Sequence, residues 1–182
     1  MSKRIAVFLS SHENLSPTFK ETAEAVGQWI GQNGHTLVYG GARKGLMETL
    51  AQATRKHGGM IIGVVPQILV DKNLVSDTLD VTFHCVDLND RKATMVRESD
   101  VFLALPGGIG TLDEIFTVMS ANTIGIHRKH VILYNADGCW NTTILALEDL
   151  RQQKLISQET LSLLHVVQSV KELQETICTA ID

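Results

Sequence analysis

Residues 101–114 read VFLALPGGIGTLDE, and this stretch decides the fold. Its first part, Val101–Leu105, is a short continuous apolar run, which is typical of a strand buried on both faces of a sheet. Three glycines follow within the next five residues, and apolar residues at helical spacing come after them. The chain is therefore expected to pass from a buried strand through a tight turn into a helix.

Similar apolar runs occur elsewhere along the chain, with helical patterns between most of them. The other predicted strands are Arg4–Leu9, Thr36–Tyr39, Met60–Val65, Leu79–Cys85 and Val131–Tyr134. The first predicted helix has Ser16 at its N-cap and Pro17 at its first position, and Asn33-Gly34 ends it. The other predicted helices cover Leu46–His57, Asp90–Glu98, Leu112–Ile126, Asn141–Gln153 and Ser169–Ala180. This alternation predicts an α/β, Rossmann-like, doubly wound parallel sheet with helices on both faces, as a single domain over residues 1–182. Lys72–Thr78 is predicted to be a longer exposed loop.

Composition narrows the classes of protein to consider. The chain is 44% hydrophobic and 20% charged, as in an ordinary globular protein, and its net charge of −4 gives no electrostatic reason to expect a nucleic-acid partner. Three cysteines without a Cys-x-x-Cys pair and seven scattered histidines predict neither disulfides nor a metal site. The first apolar run is too short to span a membrane and lacks a signal-peptide cleavage pattern, so we expect a cytoplasmic protein with no membrane association.

Two glycine loops lie where a ligand is expected, because such sheets bind ligands beyond the carboxyl ends of their strands. Gly107 to Thr111 leads into a helix, whose free amides and dipole attract an anion. A tight turn alone would explain one such loop, but Gly40-Gly41 after the second strand makes phosphate binding the favoured interpretation. Neither loop is a P-loop or a good dinucleotide fingerprint, so no NAD or other organic cofactor is expected.

Glu114 has two interpretations that the sequence leaves open. Thr111 and Glu114 form a Thr-x-x-Glu pattern, which is typical of a capping box at a helix start. The alternative is a carboxylate one turn into the helix, where it could act as a general base or stabilise a developing cation.

Arg91-Lys92 also has two interpretations. Such a pair often lies on a solvated helix face. However, Arg91 shares a face with Met95, which suggests partial burial, and an arginine there would need Glu114 or a phosphate as its partner.

Taken together, Asp90–Met95 and Ala104–Glu114 resemble the paired RK and PGGxGTxxE motifs of the LOG family, in the family's order and spacing. The segments Leu37–Gly41 and Gly58–Pro66 also resemble family segments. LOG proteins are cytokinin riboside 5′-monophosphate phosphoribohydrolases, and the resemblance covers roughly Ile5 to Leu150.

This resemblance implies a hydrolase acting in cytokinin biosynthesis. It would cut the N-glycosidic bond of AMP or of a cytokinin-type riboside monophosphate, releasing the base and ribose 5-phosphate. It implies Arg91 and Glu114 as catalytic residues, no metal or cofactor, and a homodimer. The residues expected to bind the substrate are Gly40, Gly41, Lys92, Met95, Pro106, Gly107, Gly108, Gly110 and Thr111.

The chain departs from the family pattern at Leu9–His12, Ala42, Leu88-Asn89 and Ala121–Gly125. These positions fall where base recognition and subunit packing are expected. Two alternatives therefore stay beside the hydrolase. One is a non-catalytic carrier for a nucleotide or a molybdenum cofactor on the same fold, and the other is a nucleotide sensor with a degenerate site.

Overall fold

The computed structural model describes residues 2–180, which form a seven-stranded sheet in the order β4-β3-β2-β1-β5-β6-β7. All neighbouring strands are parallel. The strands are β1 (Arg4–Phe8), β2 (Thr36–Tyr39), β3 (Met60–Pro66), β4 (Val81–Cys85), β5 (Val101–Ala104), β6 (Val131–Tyr134) and β7 (Leu164–Val167). β2, β3 and β4 build outward on one side of β1, and β5, β6 and β7 build outward on the other, so the direction of winding reverses between β1 and β5.

Helices cover both faces of the sheet, as a parallel sheet requires. They are α1 (Pro17–Gln32), α2 (Gly45–Lys56), α3 (Gln67–Asp71), α4 (Leu88–Arg97), α5 (Ile109–Thr123), α6 (Asn141–Gln152), α7 (Gln158–Leu161) and α8 (Val170–Ala180), with a 3₁₀ turn at Ala136–Gly138. One core packs α1, α2 and α8 against the sheet, and a second core packs α4, α5 and α6 against the opposite face. Within residues 2–180, no helix has the length and apolar character needed to cross a membrane.

The predicted doubly wound α/β fold is confirmed, and every predicted strand and helix is present. Four short elements were not predicted: β7, α3, α7 and the 3₁₀ turn. β7 lies at the sheet edge and has one fully buried residue, Val167, so its sequence lacks the continuous apolar run of the central strands. α3 and α7 are too short, at five and four residues, to show helical periodicity.

Two helix starts lie more than one residue earlier than predicted. α4 begins at Leu88 rather than Asp90, because the Asp87 carboxylate accepts hydrogen bonds from the amides of Asn89 and Asp90 and caps the helix. α5 begins at Ile109 rather than Leu112, with Gly108 at the N-cap. The glycine loop is therefore shorter than the sequence indicated, and part of it is helix.

The segment 72–78 is held more firmly than the predicted exposed loop. Val75 forms an antiparallel bridge with Ala42, and the amide of Ser76 donates to the Gly41 carbonyl. The Arg43 guanidinium bonds both Asp77 and the Asn73 carbonyl. This segment therefore fixes the loop that follows β2.

Candidate active site

The loops after β1 and β5 lie side by side at the point where the sheet winding reverses. The amide of Ser10 donates to the Pro106 carbonyl at 3.1 Å, and the amide of Leu105 donates to the Phe8 carbonyl at 2.9 Å. Ligands of doubly wound sheets bind in the crevice at this reversal. The fold thus places the β5 glycine loop at the expected position for a ligand.

The first turn of α5 leaves backbone free for a ligand. A Cβ added at Gly108 or Gly110 would meet no atom of residues 2–180 within 4 Å. Gly107 differs, because a Cβ there would lie 2.1 Å from Thr111 Oγ1, so the Thr111 side chain folds back over Gly107. The unpaired amides of a helix N-terminus, open on one side, form an anion site.

The structure excludes the capping-box interpretation of Glu114. A capping box needs Thr111 at the N-cap, but Gly108 occupies that position and Thr111 lies inside the first turn. Glu114 falls in the second turn and only 6% of the residue is exposed. Its carboxyl is therefore a buried group inside the helix rather than a cap.

Arg91 is the partner of Glu114. Its Nη1 lies 3.2 Å from Glu114 Oε1, and the two side chains are 14% and 7% exposed. Arg91 Nε also donates to the carbonyl of Val64, in the second half of β3, at 3.3 Å. The structure thus selects the partly buried interpretation of Arg91 over the solvated helix face.

The environment of Glu114 is suited to proton transfer near neutral pH. The pKa of the Glu114 carboxyl is raised to about 7, mainly by burial, because the charged form loses its hydration; the Asp113 carboxylate acts in the same direction. Arg91 is the main opposing influence, and Lys92 lowers the pKa as well. A carboxyl with a pKa near neutrality is characteristic of groups that act as general acids or bases.

The glycine loop after β2 faces the protein itself. A Cβ added at Gly40 would lie 2.2 Å from Arg91 Nη2. Gly41 has a φ of +72°, and a Cβ there would lie 2.5 Å from Val65 Cγ2. Ala42, where the family has a third glycine, is outside the positive-φ residues of the described chain, so its methyl group is accommodated.

Two other predicted substrate-binding residues lie in different surroundings. Met95 is 1% exposed and packs in the core beneath α4, so we assign it to supporting that helix rather than to ligand contact. Lys92 Nζ lies 2.9 Å from both carboxylate oxygens of Asp113. Its charge is therefore paired, and it joins the starts of α4 and α5.

The sequence did not reveal two contributors to this arrangement. The Val64 carbonyl is a backbone group, which carries no side-chain signal. Asp113 is visible inside the glycine-loop motif, but its pairing with Lys92 depends on how α4 and α5 pack. Both bear on the position or charge of the Arg91–Glu114 pair.

Comparison with known proteins gives consistent matches over most of the chain. A family model described as "possible lysine decarboxylase" matches residues 47–177. A cytokinin riboside 5′-monophosphate phosphoribohydrolase of Arabidopsis thaliana is 35% identical over 94% of this chain and 79% of the relative. A probable enzyme of the same name from Oryza sativa subsp. japonica is 34% identical over 96% of this chain and 70% of the relative.

Solved structures give a second set of similarities. A molybdenum cofactor binding protein from the phototrophic bacterium Rippkaea orientalis is 27% identical, with a TM-score of 0.74 over 100% of this chain and 99% of the other. The molybdenum cofactor carrier protein of Chlamydomonas reinhardtii is 20% identical, with a TM-score of 0.72 over 98% of this chain and 97% of the other. The second likeness concerns the fold alone.

Proposed function

This chain belongs to the LOG family, and we propose that it hydrolyses a nucleoside 5′-monophosphate to the free base and ribose 5-phosphate. The observation that carries the proposal is the buried Arg91–Glu114 pair beside the open first turn of α5. These two features supply a carboxyl of raised pKa and an anion site on the same helix. The curated relatives are named for this reaction.

The proposed reaction exchanges one bond to C1′ for another. The bond from C1′ to the base nitrogen breaks with both electrons leaving on the base, through a cation-like ribose, by analogy with glycoside hydrolysis. The oxygen of water bonds to C1′. Ionised Glu114 takes one proton from the water, and the other water proton stays on the new C1′ hydroxyl. The proton on Glu114 then passes through solvent to the departing base nitrogen, which returns Glu114 to its ionised form. Ionised Glu114 can also stabilise the ribose cation before water adds.

The phosphate is proposed to bind at the β5 loop, from Pro106 to Thr111. Gly108 and Gly110 permit close approach to the α5 amides, and the Thr111 hydroxyl is a candidate further donor. Since Glu114 lies one turn further along the same rigid helix, a phosphate held there would fix C1′ relative to the carboxylate.

Arg91 is proposed to keep Glu114 ionised and oriented. A guanidinium stays protonated at any physiological pH, so it cannot donate a proton to the leaving base. It can hold one carboxylate oxygen and leave the other free for the reaction, and it opposes the effect of burial on the Glu114 pKa.

An assay of purified protein with a panel of nucleoside monophosphates, with a chelator present, tests this proposal. We expect free base and ribose 5-phosphate from AMP or a close relative, and none from an Arg91→Ala, Glu114→Gln double variant. Including a prenylated adenine monophosphate identifies the preferred base and tests the predicted role in cytokinin biosynthesis. No product from any nucleotide would contradict the hydrolase proposal.

Cofactor binding without turnover is the second candidate, because the bacterial molybdenum cofactor binding protein is 27% identical over the whole chain. Both functions would use an anion site at the start of α5. They differ in product formation, so nucleotide binding without release of base would favour this candidate.

We also propose that the protein is a homodimer through the outer side of α5. Phe116, Ile124 and Ile126 are 42%, 73% and 69% exposed. Cavities of about 990 Å³ and 520 Å³ lie on either side of the helix, and Phe116 lines both. Apolar surface of this kind marks an interaction site.

Light scattering at micromolar concentration tests the dimer. We expect the mass of a dimer, and a monomer from Phe116→Glu. Met60, which is 50% exposed at the start of β3 and away from α5, provides a matched control as Met60→Glu. A monomeric unmodified protein would rule the dimer out.

We also keep the cytoplasmic location as a proposal, which cell fractionation can test.

A further inference from the structure

We propose that Gly40 is a positioning residue, whose missing side chain leaves the space in which the Arg91 guanidinium lies against Glu114. The inference deepens the proposed hydrolytic function and rests on it for its kinetic readout. It assigns the β2 glycine to the protein's own arginine and not to the substrate phosphate.

The glycine at this position is explained by space and not by backbone conformation. Gly41, Gly45 and Gly34 have φ between +54° and +72°, where other residues are strained. Gly40 lies outside that region. An added Cβ would nevertheless lie 2.2 Å from Arg91 Nη2, which is not a possible contact, and 3.2 Å from its Cζ, which is a tight one.

The guanidinium is held on three sides. Nη1 faces Glu114 Oε1 at 3.2 Å, Nε donates to the Val64 carbonyl at 3.3 Å, and Nη2 lies over the bare Cα of Gly40. Because the guanidinium is planar and rigid, a displacement at Nη2 moves the other two nitrogens as well. A methyl group at position 40 would therefore separate Arg91 from Glu114 without removing either charge from the chain.

The third neighbour of position 40 can yield. The Met47 Cε atom would lie 3.3 Å from the added Cβ, and it is the end of a flexible side chain. The conflict at position 40 is thus with Arg91, and it disappears when Arg91 is shortened.

The experiment compares Gly40→Ala, Arg91→Ala and the double variant, with Ala42→Gly as a control in the same loop. The first readout is the pKa of Glu114, measured without substrate by following the NMR signal of its side-chain carboxyl carbon against pH. That signal is assigned by comparison with Glu114→Gln, whose spectrum lacks it. We expect Gly40→Ala to raise the Glu114 pKa in the direction that Arg91→Ala raises it. The double variant should titrate like Arg91→Ala, and Ala42→Gly like the unmodified protein.

The second readout is steady-state kinetics. Gly40→Ala should lower kcat by about 10²-fold, the effect expected of a misplaced group near the reacting atoms, with little change in KM. It should cause no further loss in the Arg91→Ala background. A higher KM with an unchanged kcat and an unchanged Glu114 titration would instead assign Gly40 to substrate contact and overturn the proposal.

The design separates failure of this proposal from failure of the proposed function. The titration needs no turnover, so an inactive protein would still report whether Gly40 positions Arg91. If Gly40→Ala fails to fold, thermal unfolding of the double variant decides. A double variant as stable as Arg91→Ala would support the proposal, and one that is clearly less stable would show that the methyl group conflicts with something else.

Discussion

The two glycine loops look alike in sequence and differ in what their glycines contact. In the loop after β2, added side-chain atoms at Gly40 and Gly41 would collide with Arg91 and Val65. In the loop after β5, Gly108 and Gly110 face open space at the start of α5. The first loop is therefore shaped around the protein's own groups, and the second is available to a ligand. A glycine pair after a strand does not by itself identify a phosphate site.

The largest effect on kcat is expected from substitution of Glu114. Glu114→Gln keeps both loops and loses the negative charge, so kcat should fall by about 10²-fold or more, the scale of a lost general base. The variant should still fold, because a neutral amide is easier to bury than a carboxylate and its oxygen can accept a hydrogen bond from Arg91. Steady-state kinetics and thermal unfolding measure both effects.

Asp113→Asn is the matched control for Glu114→Gln, since Asp113 is the adjacent carboxylate on α5 and pairs with Lys92. It should lose far less activity. Near-normal turnover of Glu114→Gln would show that the buried carboxyl has no part in the chemistry.

The phosphate requirement tests the open loop directly. If α5 holds the 5′-phosphate, adenosine should be cleaved with a kcat/KM about 10²-fold lower than that of AMP, because binding energy away from the reacting bond is lost. Parallel assays of the two compounds measure this. Equal kcat/KM values would remove the anchoring role of the loop and leave the two loops without a functional difference.

The pH dependence of activity tests the Arg91–Glu114 pair, which the loop after β2 accommodates. Glu114 must be ionised to act, and its pKa is raised to about 7, so activity should rise with pH and level off above neutrality. At about pH 6 the rate should be about tenfold lower than on the plateau. The kcat/KM profile measures this midpoint in the free enzyme. A midpoint near the ordinary 4.5 would mean that Glu114 is not the titrating group.

The raised pKa of Glu114 also affects the free energy of unfolding. Activity should rise with pH, whereas this contribution to stability should fall. Since the folded protein binds the Glu114 proton more tightly than the unfolded chain does, this contribution is fully present below pH 4.5. It is lost as the pH rises through about 7. Unfolding of the unmodified protein and of Glu114→Gln over this range isolates it, because the contribution is absent from the glutamine variant.

The smallest effect is expected for Gly110→Ala, which separates stability from binding. The added methyl group meets open space inside helix α5, and alanine is favoured over glycine in a helix by up to about 1 kcal/mol. The variant should therefore be at least as stable. Its KM should rise by about tenfold if a phosphate approaches this backbone closely. An unchanged KM would mean that the ligand does not reach Gly110.

The sequence predicted the central architecture well, because buried parallel strands leave continuous apolar runs and loops leave glycine. Edge strand β7 was missed, since an edge needs little apolar surface. The start of α5 was placed three residues late, because Ile109-Gly110 has no helical signature and only the tertiary structure supports it. The sequence leaves two possible partners for Arg91, Glu114 or a substrate phosphate, and in the structure Arg91 pairs with Glu114. The contact between Gly40 and Arg91 could not be predicted, because it joins groups 51 positions apart (91 − 40) through packing.

Helix α4 has a consequence for how the protein loses activity under stress. It follows edge strand β4, yet Arg91 reaches β3 through Val64, the loop after β2 through Gly40 and α5 through Glu114. The helix has ten residues, of which Thr94 and Met95 are buried, so few apolar contacts hold it. Elements with little buried surface open before the global transition. Detachment of α4 would dismantle the pair while the sheet stays intact, so inactivation should begin at lower denaturant concentrations than melting of the strands.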